Sequence, residues 1–396
     1  MSISEREYRE RLARVRARMD SRGLDALIVS DPANLYYLTG YNAWSFYTPQ
    51  FLFVPATGTM LLFTRAMDAN GAIRTAVLPR DVIFGYPEEL VHRASVHPFG
   101  WVGGKLRELG AVAELGTGAQ IGLELDSHFF SPKAYLALIG GLPEWDFVDS
   151  HELVNWVRLV KSPAEIDLMR AAAQVSTAAM RTAIDMIRVG VRQCDAAAAI
   201  SRAQIAGTEE FGGDYPAIVP MMPTGEAADT PHLTWSEERF VADEGVIVEL
   251  AGAYRRYHVP LARTIMPGRP SAQLLRVAGA AGEGIAAVLD AVEPGAPARE
   301  LSVAWDAVLA RYELSKPSRI GYSIGIGYPP DWGERTVSLR NEDDTVLEEN
   351  MTFHLICGMW MDGYGYEVSE SFRVSADGAE TFTDLPRDLI SVGSTA

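Results

Sequence analysis

The clearest constraint on the fold is a strong helix-start signal near the middle of the chain, at residues 161–166. Ser162 can cap a helix, Pro163 suits the first helical position, and Glu165 completes a capping box. An Ala-rich stretch follows and predicts a long helix over residues 163–188. The chain has 396 residues, more than one ordinary core accommodates. We therefore expect two domains, 1–157 and 158–396.

Strand and helix patterns alternate before this signal. Helical spacing of apolar residues covers 4–22, and strand-like runs occur at 26–30, 50–55, 59–63 and 121–124. Gly58 separates two of these runs and indicates a hairpin. Residues 31–34 are expected to form a turn. This alternation predicts an α/β N-terminal domain.

The second half groups its strands and helices differently. Strands are predicted at 246–250, 262–266 and 351–356, and helices at 270–291 and 298–314. Helices outside a largely antiparallel sheet indicate an α+β domain.

Composition narrows the classes of function. The formal net charge of −17 argues against non-specific nucleic-acid binding, which needs a basic surface. No apolar run reaches the roughly 20 residues of a membrane span, and the charged N-terminus does not resemble a signal peptide. Two cysteines, Cys194 and Cys357, provide no disulfide framework. We expect a cytoplasmic enzyme that binds neither membrane nor nucleic acid.

Five segments resemble landmarks of the creatinase/prolidase family. They are residues 34–40, 161–166, 263–264, 292–295 and 346–353. The resemblance spans nearly the whole chain. It implies a creatinase-like N-terminal domain followed by a pita-bread catalytic domain, which in most members holds two metal ions.

The expected metal ligands are largely missing. The two Asp positions of the family hold Glu249 and Pro260, and its His position holds Tyr322. Its first Glu position holds Ile356, and its second falls near Ser369. Glu367 and Glu370 flank that last position, so a register slip stays open. Mg²⁺, Mn²⁺ and Zn²⁺ each need several convergent donors, so we expect no metal and no other cofactor.

A metal-free branch of the family suggests a replacement chemistry. Its catalytic His lies seventeen residues before the first ligand position, and His232 lies at that distance from Glu249. An imidazole can take a proton from water and return it to a departing nitrogen. Glu249 could pair with a cationic substrate or add to it covalently. The alternative is a structural Glu249 paired with Arg263 or Arg256.

The sequence Gly-Tyr-Pro-Pro-Asp-Trp-Gly-Glu at 327–334 resembles the ectoine-hydrolysing members of the family. That resemblance implies a small-molecule substrate, ectoine, whose cyclic amidine is opened to N-acetyl-2,4-diaminobutyrate. Besides His232 and Glu249 as catalytic residues, the substrate-binding candidates are Tyr322, Asp331, Trp332, Glu367, Glu370, Trp44 and Tyr47.

Several of the binding candidates have a plainer interpretation. Trp332, in an expected loop, could fill a gap to the core instead of stacking on substrate. Glu367 and Glu370 are three residues apart, so on a strand only one can face the site. Trp44 and Tyr47 are expected to cover the partner subunit's site in a homodimer, as the family implies, or to pack in the N-terminal domain.

Three other functions stay open at this point. A creatinase-type amidinohydrolase would act on another small guanidinium or amidinium compound and release urea. A metal-dependent X-Pro dipeptidase is disfavoured by Pro260 and Tyr322. A non-catalytic peptide-binding module is disfavoured by His232. A deacetylase acting next in the pathway is a further expected partner.

Overall fold

The computed structural model describes residues 3–393, which form two compact units divided between Arg158 and Leu159. The helices of the first unit are α1 (Glu5–Ser21), α2 (Pro32–Thr39), α3 (Ala69–Thr75), α4 (Pro98–Glu108), α5 (Ala111–Leu115), α6 (Pro132–Gly141) and α7 (Leu153–Val157). Its strands are β1 (Ala26–Val29), β2 (Phe51–Pro55), β3 (Leu61–Arg65), β4 (Ile83–Tyr86), β5 (Gln120–Leu123) and β6 (Asp146–Asp149).

The six strands form one mixed sheet in the order β4-β3-β2-β1-β5-β6. Strands β1, β5 and β6 run parallel, whereas β2 is antiparallel to both β1 and β3. Aromatic residues fill much of the core around this sheet, among them Phe51, Phe53, Phe99 and Trp145. The predicted α/β class of the N-terminal domain is confirmed, as is the hairpin around Gly58.

The expected turn at residues 31–34 is wrong. Asp31 caps helix α2 by accepting a hydrogen bond from the Ala33 N–H, and Pro32 takes the first helical position. Gly40 ends the helix in the left-handed region at φ 73°. These are ordinary start and stop signals for a helix. Asp-Pro is also common in turns, and the predicted turn rests on that pattern alone.

The second unit is a large sheet covered by helices. The helices are α8 (Pro163–Met186), α9 (Gln193–Ala206), α10 (Ala272–Asp290) and α11 (Arg299–Arg311). The strands are β7 (Val246–Tyr254), β8 (Tyr257–Pro267), β9 (Gly321–Tyr328), β10 (Asp331–Ser338), β11 (Thr352–Met361), β12 (Tyr364–Ser375), β13 (Gly378–Thr381) and β14 (Ile390–Val392).

Pairing in this sheet is antiparallel except where β14 joins β8. The main path is β13-β12-β11-β9-β8-β14, with β7 paired to β8 and β10 paired to β9. The predicted α+β class is confirmed. Asp331 and Trp332 begin strand β10, so their assignment to a loop is wrong.

Helix α8 begins as the sequence predicts. Ser162 accepts from the Glu165 N–H, and the Glu165 carboxylate accepts from the Ser162 N–H, which makes the capping box complete. The helix packs on β7, and Gly252 allows the close approach, because a Cβ there would collide with the backbone of α8 at Ala172 and Ser176.

Helix α10 is long and apolar enough to span a membrane, by length and composition only. Its buried face, including Val277, Ile285 and Val288, packs in the core of the second unit against α11 and β12. We therefore assign it as a core helix.

We expect Gly252→Ala to lower the free energy of unfolding by about 1–3 kcal/mol, because the added methyl forces α8 away from β7. Urea denaturation followed by circular dichroism measures the change. Gly282→Ala is the matched control, because a Cβ there meets open space. It should raise helix stability by about 0.5–1 kcal/mol. Equal midpoints for Gly252→Ala and the wild type would contradict the close-packing argument.

Candidate active site

A cavity of about 290 Å³ opens among the strands of the second unit. Charged and aromatic side chains share its wall with apolar ones. Its lining residues are Ile218, Met221, Pro231, His232, Glu249, Lys316, Ser318, Arg319, Gly321, Tyr322, Asp331, Ile356, Trp360 and Glu367.

Glu249 lies on β7 at the inner wall of this cavity and is 5% exposed. Burial raises the pKa of Glu249 well above its ordinary value, and the charges of Glu367 and Asp331 raise it further. The nearest ring nitrogen, Nδ1 of His354, is 4.0 Å from Oε1. Burial lowers the pKa of His354 to about 3, so that ring is neutral. Within residues 3–393, no Lys or Arg forms an ion pair with Glu249.

Glu367 is a second buried carboxylate in the same cavity. Its Oε2 atom has no hydrogen-bond partner among the described residues. Burial raises the pKa of Glu367 to about 7, although the charge of Lys316 opposes the shift. The site therefore concentrates two carboxyl groups that hold protons more tightly than they would in water.

Lys316 and Arg319 bring positive charge to the cavity wall. Lys316 Nζ donates to the Gly358 carbonyl at 2.9 Å and lies 4.2 Å from the centroid of the Trp360 ring. Burial lowers the pKa of Lys316 to about 8. The exposed Arg319 guanidinium lies 4.5 Å from the centroid of the Tyr322 ring.

Five of the predicted site residues line this one cavity: His232, Glu249, Tyr322, Asp331 and Glu367. His232 is exposed at the rim, in the irregular segment before β7. Asp331 is partly buried at the start of β10.

Two predicted binding residues of the second unit, Glu370 and Trp332, are not among the residues that line the cavity. Glu370 is fully buried and forms an ion pair with Arg263 at 2.5 Å. It points away from the cavity because it is three residues from Glu367 on the same strand. Trp332 is also fully buried, and its Nε1 donates to the Tyr322 hydroxyl at 2.8 Å, so the indole supports Tyr322 from behind.

The alternative that Glu249 pairs with Arg263 or Arg256 is wrong. Arg263 is engaged by Glu370. Arg256 donates to the carbonyls of Tyr215 and Gly327 and stacks between the rings of Tyr215 and Tyr328.

Trp44 and Tyr47 belong to the first unit, where they are 56% and 63% exposed. They do not pack in its core, contrary to the plainer interpretation. The expected homodimer stays a prediction.

Comparison with known proteins agrees with this architecture. Residues 11–160 match the Creatinase/Prolidase N-terminal domain, and residues 167–376 match Metallopeptidase family M24. The chain is 41% identical to a protein named ectoine hydrolase from Halomonas elongata, over 98% of each chain. It is 39% identical to an uncharacterised hydrolase/peptidase of Sinorhizobium fredii, again over 98% of each. The chain belongs to the creatinase/prolidase family. It is a hydrolase of C–N bonds.

A solved prolidase from Thermococcus sibiricus superimposes with a TM-score of 0.84, covering 99% of this chain and all of that one. Its sequence identity is 18%, so the likeness shows the fold alone. The pita-bread fold expected from the sequence is confirmed.

The residues at the metal positions of the family do not fit metal ions. Ile356 lines the cavity with an aliphatic side chain, and Pro260 has no side-chain donor. Ser369 pairs with Ile356 across β11 and β12, and its Oγ lies 2.6 Å from the Ala262 nitrogen. Among residues 3–393, no group of three or more His, Cys, Asp or Glu side chains is arranged to hold an ion.

Lys316 and Arg319 line the cavity and His354 contacts Tyr322, yet none of the three is among the residues predicted from the sequence. The Lys-Pro-Ser-Arg sequence at 316–319 directly precedes β9, which carries Tyr322. Two basic residues directly before a strand that carries a predicted site residue indicate a positively charged wall of the site. His354 gave no such signal, because it stands among apolar strand residues.

We expect Glu367→Gln to change how stability depends on pH. Because the folded-state pKa of about 7 lies above the ordinary 4.5, the folded protein binds this proton more tightly than the unfolded chain does. The wild type therefore loses stability as pH rises from about 4.5 to about 7. The variant does not lose this stability. Relative to the wild type, its free energy of unfolding should therefore rise by about 1–3 kcal/mol between pH 5 and pH 8.

Urea titrations at pH 5, 6.5 and 8 measure this gain. Glu300→Gln, at an exposed carboxylate on α11, is the matched control. Parallel stability curves for wild type and Glu367→Gln would show that the carboxyl group is not buried as described.

Proposed function

We propose that this protein opens the cyclic amidine ring of ectoine without a metal ion, yielding N-acetyl-2,4-diaminobutyrate. The observation that carries the proposal is the pair of buried carboxyl groups, Glu249 and Glu367, in one cavity. Neither of them forms an ion pair with a Lys or Arg of the described residues. A buried carboxylate is costly unless an opposite charge reaches it. An amidinium is a planar cation, and its charge spreads over two nitrogens that can each donate to a carboxylate.

Oppositely charged side chains are also available for the carboxylate of the substrate. Ectoine carries a carboxylate on the same ring, and the cavity wall provides Lys316 and Arg319. A guanidinium binds a carboxylate in a two-point geometry. Arg319 is our candidate for this contact, because it is exposed at the mouth while its guanidinium is held over Tyr322. The relative named ectoine hydrolase, at 41% identity, supports the substrate assignment.

His232 is our candidate for the proton transfers, and its position on the cavity wall supports this role. It lines the cavity together with Glu249. Hydrolysis adds one water: the oxygen bonds to the amidinium carbon, one ring C–N bond breaks, and the departing nitrogen takes a proton. His232 accepts a proton from the water and returns it to that nitrogen.

Glu249 has one of two roles in this scheme. As a pairing residue it orients the amidinium. As a nucleophile its oxygen bonds to the amidinium carbon while the C=N π electrons move to nitrogen. One ring C–N bond then breaks, and the departing nitrogen takes a proton from His232. Water next adds its oxygen to the same carbon, gives a proton back to His232 and cleaves the C–O bond, which restores the carboxylate. We favour direct addition. Mass spectrometry of peptides from acid-quenched turnover samples distinguishes the two roles by added mass at Glu249.

The chemistry is metal-independent because the donors for a metal are replaced. Pro260, Tyr322, Ile356 and Ser369 leave too few carboxylate or imidazole ligands for a dinuclear site. We also infer a homodimer, from the family, and a reducing cytoplasm, from the two unpaired cysteines.

Protein treated with chelator should convert ectoine to an N-acetylated diaminobutyrate, followed by NMR of the ring protons. Added Mn²⁺ should not stimulate turnover. Chelator-sensitive activity would contradict metal independence. Absence of ectoine turnover, with urea released from a guanidinium compound instead, would replace ectoine by the creatinase-type alternative.

His232→Ala should lower kcat by about 100-fold or more, because the proton shuttle is removed. The stability of the fold should stay unchanged, since the residue is exposed. His151→Ala, at a residue 73% exposed in the first unit, serves as control and should keep full activity. An active His232→Ala variant would remove His232 from the mechanism.

A further inference from the structure

We propose that Ser369, His354 and Trp332 are positioning residues that fix the Tyr322 hydroxyl as a hydrogen-bond donor into the cavity. The inference deepens the proposed function and rests on it for the identity of the substrate. The positions of the protons on Ser369, His354 and Tyr322 do not depend on the substrate, and the tautomer of His354 can be measured without turnover.

Ser369 fixes the first proton. Its Oγ accepts from the Ala262 N–H at 2.6 Å and lies 2.7 Å from Nε2 of His354. Among the described residues, no other acceptor for this hydroxyl is present. Because Ser369 is fully buried, an unused O–H would carry the full cost of desolvation. The hydroxyl proton therefore points to Nε2, which must be unprotonated.

The unprotonated Nε2 of His354 determines the protonation of its other ring nitrogen, Nδ1. The ring is fully buried and neutral, so it carries one proton. With Nε2 as an acceptor, the proton is on Nδ1. Nδ1 lies 3.3 Å from the Tyr322 oxygen and 4.0 Å from Oε1 of Glu249. The Tyr322 oxygen is within hydrogen-bond distance and can accept from Nδ1–H, which is consistent with this tautomer.

Tyr322 therefore receives hydrogen bonds from two directions. The Trp332 Nε1–H donates to its oxygen at 2.8 Å, and indole nitrogen can only donate. His354 Nδ1–H approaches the same oxygen. With both acceptor positions used, the remaining direction for the O–H is the cavity that Tyr322 lines with Glu249 and Asp331.

The donor persists at working pH. Burial raises the pKa of Tyr322 well above its ordinary value, and the charge of Glu249 raises it further. The hydroxyl is therefore protonated and pre-oriented before the substrate arrives. In amidine hydrolysis, such a donor stabilises the oxygen that bonds to the amidinium carbon, without reorganisation at the moment of reaction.

The tautomer of His354 tests the structural part directly. Protein labelled with ¹⁵N in histidine gives ring nitrogen shifts and two-bond couplings, and His354→Gln identifies the resonances. We expect Nδ1 of His354 to be protonated and Nε2 to be unprotonated between pH 6 and 8. A protonated Nε2 would overturn the proposal, whether or not ectoine is the substrate.

Kinetics test the positioning role. We expect Ser369→Ala to lower kcat about tenfold with KM nearly unchanged, in the range seen when orienting residues behind a site are removed. Ser369→Thr, which keeps the hydroxyl, should restore most of the activity. Tyr322→Phe should cost about 100-fold in kcat. The double variant of Ser369→Ala and Tyr322→Phe should be no slower than Tyr322→Phe alone, because the two residues act through one proton.

Ser371→Ala is the matched control. Ser371 is two residues along the same strand, equally buried, and donates to the Pro260 carbonyl at 2.7 Å. It should lose a similar amount of stability and keep its kcat. An unchanged kcat in Ser369→Ala, or losses that multiply in the double variant, would overturn the positioning role. If Ser369→Ala fails to fold, the histidine NMR of the wild type still decides the tautomer.

Discussion

The electrostatics of the second unit depend on which buried carboxylates have a cation. Glu370 is neutralised by Arg263, and Glu334 forms an ion pair with Lys161 at 2.6 Å, with both side chains 1% exposed. Glu249 and Glu367 are buried to a similar degree, yet no Arg or Lys within residues 3–393 forms an ion pair with either. The desolvation cost is therefore offset by an ion pair at Glu370 and Glu334, whereas at Glu367 only the nearby charge of Lys316 opposes it and at Glu249 no Lys or Arg of the described residues does. A cationic ligand offsets the desolvation cost at Glu249 and Glu367. The two buried carboxyl groups therefore favour the binding of a cation.

The ion pairs of Glu334 and Glu370 also connect the elements that surround the cavity. Lys161, just before α8, holds Glu334 on β10, so the helix start and that strand are fixed to each other. Arg263 on β8 holds Glu370 on β12 and the carbonyls of Leu385 and Pro386. Each of these bonds would be lost by a shift of a few ångströms. The strand that carries Glu367 is thus fixed directly. Strands β7 and β9, which carry Glu249 and Tyr322, are held through their pairing with β8 and β10.

Local signals in the sequence predicted much of this fold. The Ser162–Glu165 capping box sets the start of α8, and Gly58 marks its hairpin, because caps and turns depend on neighbouring residues only. Whether a residue faces the cavity depends instead on contacts between strands that are distant in sequence. The spacing of Glu367 and Glu370 shows that one of them faces the cavity, but the choice follows from Arg263 lying on the other side. Likewise Trp332 looked like a substrate contact in an expected loop, because its acceptor, the Tyr322 hydroxyl, lies on another strand.

Several positions that the family resemblance equates with metal ligands hold other residues here, and no single substitution would supply a metal site. An Asp in place of Pro260 would add one carboxylate, but Ile356 would still present a hydrocarbon side chain and Ser369 a hydroxyl already used by Ala262 and His354. Tyr322 would still occupy the His position, held there by Trp332. Since a metal ion needs several ligands at once, partial reversion would add buried charge without the binding energy to offset it. The hydrogen bonds around Tyr322 therefore stabilise the metal-free arrangement as well as orient its donor.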